Sequence, residues 1–309
     1  FSVQVAHFIG ANDFVKARQV FRHALICGVA FSLCLTLACV GVHAHLPYWL
    51  GGGADIATSA SQYFLIYSLV LPFVFLYHTS EMMLKSAGNM HTPSIMAILI
   101  CIFDVAFNYL FIYVLHMGVV GAAMGTAMAY LCISLPNLYL AACKNQILNL
   151  RQDNVRFRWV KEYVHNACKI SIPIAIQNIL MSGAQIVSTM IVAPLGNIAI
   201  AAHSFAITAE SLCYMPGYGI GDAATTLVGQ THGAGRVDLC KNFAYMTVGL
   251  GMAVMAAMGT IMYLLAPEMI GVLSPVDSIR ELGTTCLRIE AFAEPFFAAS
   301  IVTYSVCVG

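Results

Sequence analysis

The chain has 309 residues, 60% of them hydrophobic and 9% charged, with no net charge and a mean hydropathy of +0.82. A soluble domain carries about 25% charged residues, so a water-soluble fold is excluded, and the lack of a basic face excludes a nucleic-acid partner. Apolar stretches of the roughly 20 residues that a membrane span needs recur along the chain, and the alternation of a membrane barrel is missing.

Residues 1–9 read as the end of a helix, and 10–23 as a polar connector with Lys16, Arg18 and Arg22. Spans are predicted at 24–42, at 56–80 (with Pro72 inside), at 92–115 and at 117–143, with a turn, LGGGAD, at 50–55. Residues 144–166 are a polar, amphipathic linker carrying Arg151, Arg156, Arg158 and Lys161 beside Phe157, Trp159 and Tyr163, a composition suited to a membrane surface. Further spans are predicted at 170–193, 197–220, 242–266 and 283–308. The expected fold is therefore all-α and polytopic, with eight complete or nearly complete spans. Both ends fall inside helical segments, so the stretch is expected to be part of a longer protein.

Of the 14 Lys and Arg residues, 12 lie in alternate connectors, at 10–23, 85–91, 144–169 and 231–241. The positive-inside rule puts these connectors in the cytoplasm. A shift of 223 residues superimposes Val5 on Val228, Gly28 on Gly251, Leu50 on Leu273 and Pro72-Phe73 on Pro295-Phe296. It also lays one basic connector on another, so the two copies share an orientation. Parallel repeats of this kind are a transporter signature. They predict two pseudo-symmetric lobes, an N-terminal one at 1–143 and a C-terminal one at 167–309, joined by the linker, with about six helices per lobe and twelve in the full-length protein.

Asp104 lies near the middle of the 92–115 span, with Asn108 one turn later on the same helix face. A carboxylate at that depth costs about 2.5–3.5 kcal/mol even on mild scales, so it usually faces a cavity or partner and marks a pathway. Thr126 lies on the next helix, across a turn short enough to force an antiparallel neighbour. Such a carboxylate could take up a proton, or with amide and hydroxyl oxygens beside it hold a sodium ion. The C-terminal half has its own intramembrane acids, Glu210, Asp222, Glu290 and Glu294, with Asp222 near a span end and more simply structural. The 11 cysteines are scattered singly and read as packing residues rather than metal ligands or disulfides. No P-loop or dinucleotide fingerprint is present, so no cofactor is expected and an ion gradient is the expected driving force.

Three stretches resemble motifs of the multidrug and toxic compound extrusion (MATE) family of cation-coupled antiporters. They are GVVGAAMGT (118–126), KSAGNMHTP (85–93) and AIAAHSFAITAESLCYMPGYGIGDAATTLVGQTHGAG (199–235). The resemblance spans nearly the whole chain, which would run from the end of the family's helix 2 to its helix 10. It implies two six-helix lobes around a central cleft, alternately open to either side. It also implies a coupling-cation site for H+ or Na+ built from Asp104, Asn108 and Thr126, with the family's Asn-x-x-x-Asp order reversed here. Pro173 is followed eight residues later by Met181, not by the Glu of the NorM-like branch, with Gln177 and Asn178 the polar residues there instead. This favours the DinF-like side, where the N-terminal acid carries coupling.

The expected function is an antiporter, not an enzyme, that exports amphiphilic or cationic compounds in exchange for H+ or Na+. It would act as a monomer in the plasma (bacterial inner) membrane. Glu210, Glu290, Glu294, Gln177 and Asn178 are the candidates for its substrate cleft. A lipid or lipid-linked-oligosaccharide flippase is the alternative within the superfamily, although it would favour a cleft lined with Arg and Lys. A non-transporting receptor or scaffold is the alternative from another class, although it would need neither the repeat nor the intramembrane acids.

Overall fold

The computed structural model describes residues 1–49, 54–152 and 157–309. Residues 50–53, most of the LGGGAD turn with Leu50, lie outside the described residues, as does Arg156. All regular structure among the described residues is helical: α1 (Ser2–Gly10), α2 (Phe14–Val42), the single turn α3 (Leu46–Trp49), α4 (Ala54–Ser86), α5 (His91–Asn108), α6 (Gly118–Tyr139), α7 (Lys161–Val192), α8 (Asn197–Gly233), α9 (Val237–Leu273), α10 (Asp277–Glu290) and α11 (Glu294–Val308). Among the described residues seven helices are long and apolar enough to cross a membrane, and the bent pair α10–α11, taken as one broken span, makes eight. The chain divides into two compact units, Phe1–Tyr163 and Val164–Gly309.

The first unit is anchored at its basic end. Asp13 caps α2 by accepting from the Lys16 N–H at 3.1 Å, and its carboxylate pairs with the Lys16 ammonium at 2.7 Å. The Lys16 side-chain hydrogen bond holds the Asp13 carboxyl below the usual carboxylate range, against a smaller opposing effect of burial. Val5, Val20, Phe21, Leu84, Ala141 and Leu148 form the core there. Residues 145–152 and 157–163 lie over this core. Their main chain is gripped by side chains of α1 and α2: Gln4 donates to the Tyr163 carbonyl (3.1 Å), Arg18 to Ile147 (2.7 Å) and Arg22 to Leu150 (2.8 Å). His23, fully buried, accepts from the Val160 N–H at 3.0 Å and packs against Phe157, Trp159 and Tyr163.

The second unit centres on small and flexible residues, Ala209 and Cys213 of α8, Met262, Ala266 and Ile270 of α9 and Leu287 of α10. Small residues let membrane helices approach closely where apolar surface gives no drive for association.

The repeat is visible in helix packing. Gly28 of α2 faces Thr79 of α4; 223 residues on, Gly251 of α9 faces Val302 of α11. One pair of matched positions behaves differently. Proline removes a donor, freeing the carbonyl four residues earlier. For Pro72 that carbonyl belongs to Ser68, and Thr36 Oγ1 of α2 donates to it at 3.1 Å. Helix α4 runs unbroken through the proline. In the second copy the matching carbonyl is that of Ala291, and Thr36 is matched by Gly259. Glycine has no hydroxyl to offer, and a Cβ at 259 would stand 2.9 Å from the Ala291 oxygen. Here the helix breaks at 291–293 and bends by 55°. The single span expected over 283–308 is thus two helices, with Pro295 in the first turn of the second.

Thr36→Val keeps the shape of residue 36 but strips the Ser68 carbonyl of its donor. Thermal unfolding of the purified protein should show a loss of about 1 kcal/mol, and hydrogen exchange in α4 should rise around residues 68–72.

Candidate functional site

Helix α5 has two faces. Ile95, Ile98, Ile102, Val105 and Tyr109, spaced at helical intervals, are exposed and form a lipid-facing stripe. Asp104 and Asn108 lie off this stripe and are half-buried. Gly125 makes the contact between α5 and α6 possible, because a Cβ there would meet the Asn108 amide group and stand 2.9 Å from its backbone nitrogen. Directly after Asn108 the helix widens into a π-helical segment, Tyr109–Val114, with the Leu115 N–H donating five residues back to Leu110. Such widened turns are common at functional sites.

Asp104 Oδ1 and Asn108 Oδ1 are buried and have no hydrogen-bond partner. Buried polar atoms without partners are rare in native proteins, and each calls for an explanation. Two acceptor oxygens one helical turn apart can receive a proton or ligate a hard monovalent cation. Thr126 adjoins Gly125 and is half-buried, and among the described residues no hydrogen bond ties it to Asp104 or Asn108. Sequence reasoning missed Tyr130, one turn beyond Thr126, whose hydroxyl lies within electrostatic reach of Asp104. The four-residue step from Thr126 was the available signal.

In the second unit the helix break carries the acids. Glu290 ends α10 and Glu294 begins α11, so the two flank an elbow rather than share one continuous helix face. Glu294 is 1% exposed, and neither of its carboxyl oxygens has a partner; Glu290 Oε2 is also buried and unpartnered. Glu210 of α8 lies close enough for its charge to act on both. Arg288 does not answer them. Its Nε donates to the Tyr263 carbonyl at 3.4 Å, the one freed by Pro267, and its guanidinium lies 5.3 Å from the Tyr263 ring. Gln177 and Asn178 line a separate cavity of about 100 Å3 with Tyr218, Phe297 and Tyr304, and none of the three glutamates lines it. The five cleft candidates therefore form two clusters. Among the described residues no group of three or more His, Cys, Asp or Glu side chains could hold a metal ion.

These features define a multi-pass helical membrane protein with ionisable groups held inside its spans. The pattern of the MatE family matches residues 1–110 and 173–309, and the chain belongs to that family. It is similar to the multidrug export protein MepA of Staphylococcus saprophyticus (22% identity over 285 residues, 92% of this chain) and to a probable multidrug resistance protein NorM of Thermotoga maritima (25% over 302 residues, 96%). The chain spans 62% and 64% of the lengths of these two relatives. Among solved structures, the fold is that of a multidrug resistance MATE family transporter in an outward-facing conformation (TM-score 0.85, 20% identity, 99% of this chain and 71% of that one). It is equally that of the Vibrio cholerae MATE transporter VcmN in the bent form (TM-score 0.88, 14% identity, 99% and 69%). The matched proteins are transporters and export proteins rather than enzymes. The chain is accordingly an integral protein of the bacterial plasma membrane.

Two expectations follow from this geometry. Gly125→Val should force α5 and α6 apart at Asn108, lowering the melting temperature and, more sharply, any cation-dependent rise in it. Glu294→Leu removes a buried carboxyl that nothing pairs, so thermal stability of the purified protein should hold or rise.

Proposed function

We propose that the protein is a cation-coupled antiporter that exports amphiphilic, often cationic, organic compounds in exchange for H+ or Na+. The observation that carries this reading is Asp104, an acid midway along a span with a buried oxygen that no protein group satisfies. The names of the relatives, multidrug export and multidrug resistance proteins, support the substrate class.

In this reading Asp104, Asn108 and Thr126 bind the coupling cation in the N-terminal lobe. Its arrival neutralises Asp104 and removes the cost of holding a charge at mid-membrane depth. The α5–α6 contact at Gly125 then repacks, and the lobes release substrate outward. Glu210, Glu290 and Glu294 draw cationic substrates, with Arg288 turned to the Tyr263 carbonyl and ring. The amides of Gln177 and Asn178, set among Tyr218, Phe297 and Tyr304, suit the polar and aromatic parts of an amphiphile. The linker residues 144–166 tie the two lobes together, and the protein works as a monomer.

Reconstitution of the full-length protein in liposomes tests the assignment. Asp104→Asn should abolish efflux driven by a proton or sodium gradient while leaving substrate binding in place. Efflux and ion dependence equal to wild type would refute the role of Asp104.

A further inference from the structure

Helix α6 carries more polar residues than its packing requires. Thr126, Tyr130, Ser134 and Asn137 recur at intervals of four, four and three, which sets them in one stripe along the helix. The stripe runs from the level of Asp104 toward the end of α6 that meets Lys144. Ser134 and Asn137 are both 0% exposed, and Ser134 Oγ and Asn137 Oδ1 have no partner. A buried group left without its hydrogen bond is destabilising, and internal water is the usual remedy.

Helix α4 forms the facing wall. Asn137 Nδ2 donates to the Tyr77 carbonyl at 3.2 Å. The Tyr130 ring packs against Tyr77 at 5.9 Å and lies 6.4 Å from the His78 ring. His78 Nδ1 is 3.2 Å from Glu81 Oε2, and Lys85 Nζ is 2.8 Å from Glu81 Oε1. Lys85 and the Glu81 carboxylate are mostly buried, whereas the His78 side chain is 55% exposed. The titratable groups around Tyr130 are Asp104 and Cys101 of α5 and Tyr67, Tyr77, His78 and Glu81 of α4. Polar groups thus recur along α6 from Thr126 to Asn137 and along the facing wall of α4 from His78 to Lys85.

We propose that the stripe Tyr130–Ser134–Asn137 and the cluster His78–Glu81–Lys85 are the route by which a proton bound at Asp104 reaches the cytoplasm. This rests on Asp104 being the coupling carboxylate and makes the coupling ion a proton. The Asp104 O–H bond breaks as a bridging water takes that proton and passes one of its own to the Tyr130 oxygen, which gives up its hydroxyl proton in turn. Water held at Ser134 and Asn137 passes a proton on in the same way. The net change is one O–H bond lost at Asp104 and one bond to hydrogen gained at Glu81 or His78, from which exposed His78 delivers the proton to solvent. Asn137 orients the water, and Lys85 fixes the Glu81 carboxylate.

The test uses full-length protein in liposomes, ethidium as substrate probe and an internal pH-sensitive dye. Ser134→Val and Glu81→Gln should each slow ethidium-coupled proton movement about tenfold or more, with ethidium binding and gradient-free ethidium exchange unchanged. Glu81→Asp should restore most of the rate. A merely structural role would slow exchange as well. Ser134→Val, a small change, carries the test if Glu81→Gln fails to elute as a single species. Wild-type proton movement in both variants overturns the route, and if Asp104→Asn still abolishes coupling, the antiport reading survives that result. Coupling to sodium alone also overturns the route. Wild-type proton movement in Asp104→Asn sinks the antiport reading itself.

Discussion

Inside an apolar bundle every polar group must find its partner within the protein, and that constraint orders the whole chain. The structure meets it at two places where proline breaks the main-chain ladder. Thr36 supplies the Ser68 carbonyl and Arg288 the Tyr263 carbonyl, each freed by a proline four residues on. Against that background the buried side-chain atoms left unsatisfied stand out. They are confined to Asp104, Asn108, Ser134, Asn137, Glu290 and Glu294 among the described residues. In the first unit these lie on the two facing helices α5 and α6; in the second they flank the elbow between α10 and α11. Both sets give up stability that an apolar side chain would have supplied, as functional sites commonly do.

The basic residues of the first unit serve two physical ends. Their distribution orients the chain by charge, and Arg18 and Arg22 also donate to main-chain carbonyls of the segment that leads into α7. Side chains of the segment add to this grip: Gln152 Oε1 also accepts from Arg18, at 3.2 Å. His23 adds a contact with one tautomeric requirement. Its Nδ1 faces the Gln19 carbonyl at 2.7 Å and its Nε2 accepts from Val160, so the hydrogen sits on Nδ1. The segment is therefore part of the first unit's core rather than a loose tether.

Much of this was legible in the amino-acid sequence. Long apolar runs gave the spans, because membrane helices leave a strong local signal. The 223-residue shift located the repeat, and the contacts Gly28–Thr79 and Gly251–Val302 repeat it in three dimensions. Asp104 and Asn108 were visible as a lone polar pair in an apolar helix. What escaped depended on neighbours from other helices. Pro72 and Pro295 read alike, yet the helix continues at the first, where Thr36 faces the freed carbonyl, and breaks at the second, where Gly259 does. The five cleft candidates separate into two clusters because α7 meets α8 and α11 at Tyr218 and Phe297, away from the acids. The widened turn after Asn108 has no proline or glycine to announce it.

The difference at positions 36 and 259 has a mechanical consequence. A helix whose ladder is bridged across its proline behaves as a rod, so a displacement at one end of α4 is felt at the other. The matching span of the second unit is two levers meeting at an elbow, and a push on α11 can be absorbed at 291–293 before it reaches α10. Two copies of one plan thus differ in stiffness at matched prolines. Load passes straight through the half that holds Asp104, and the half that holds the glutamates yields at the point where they sit.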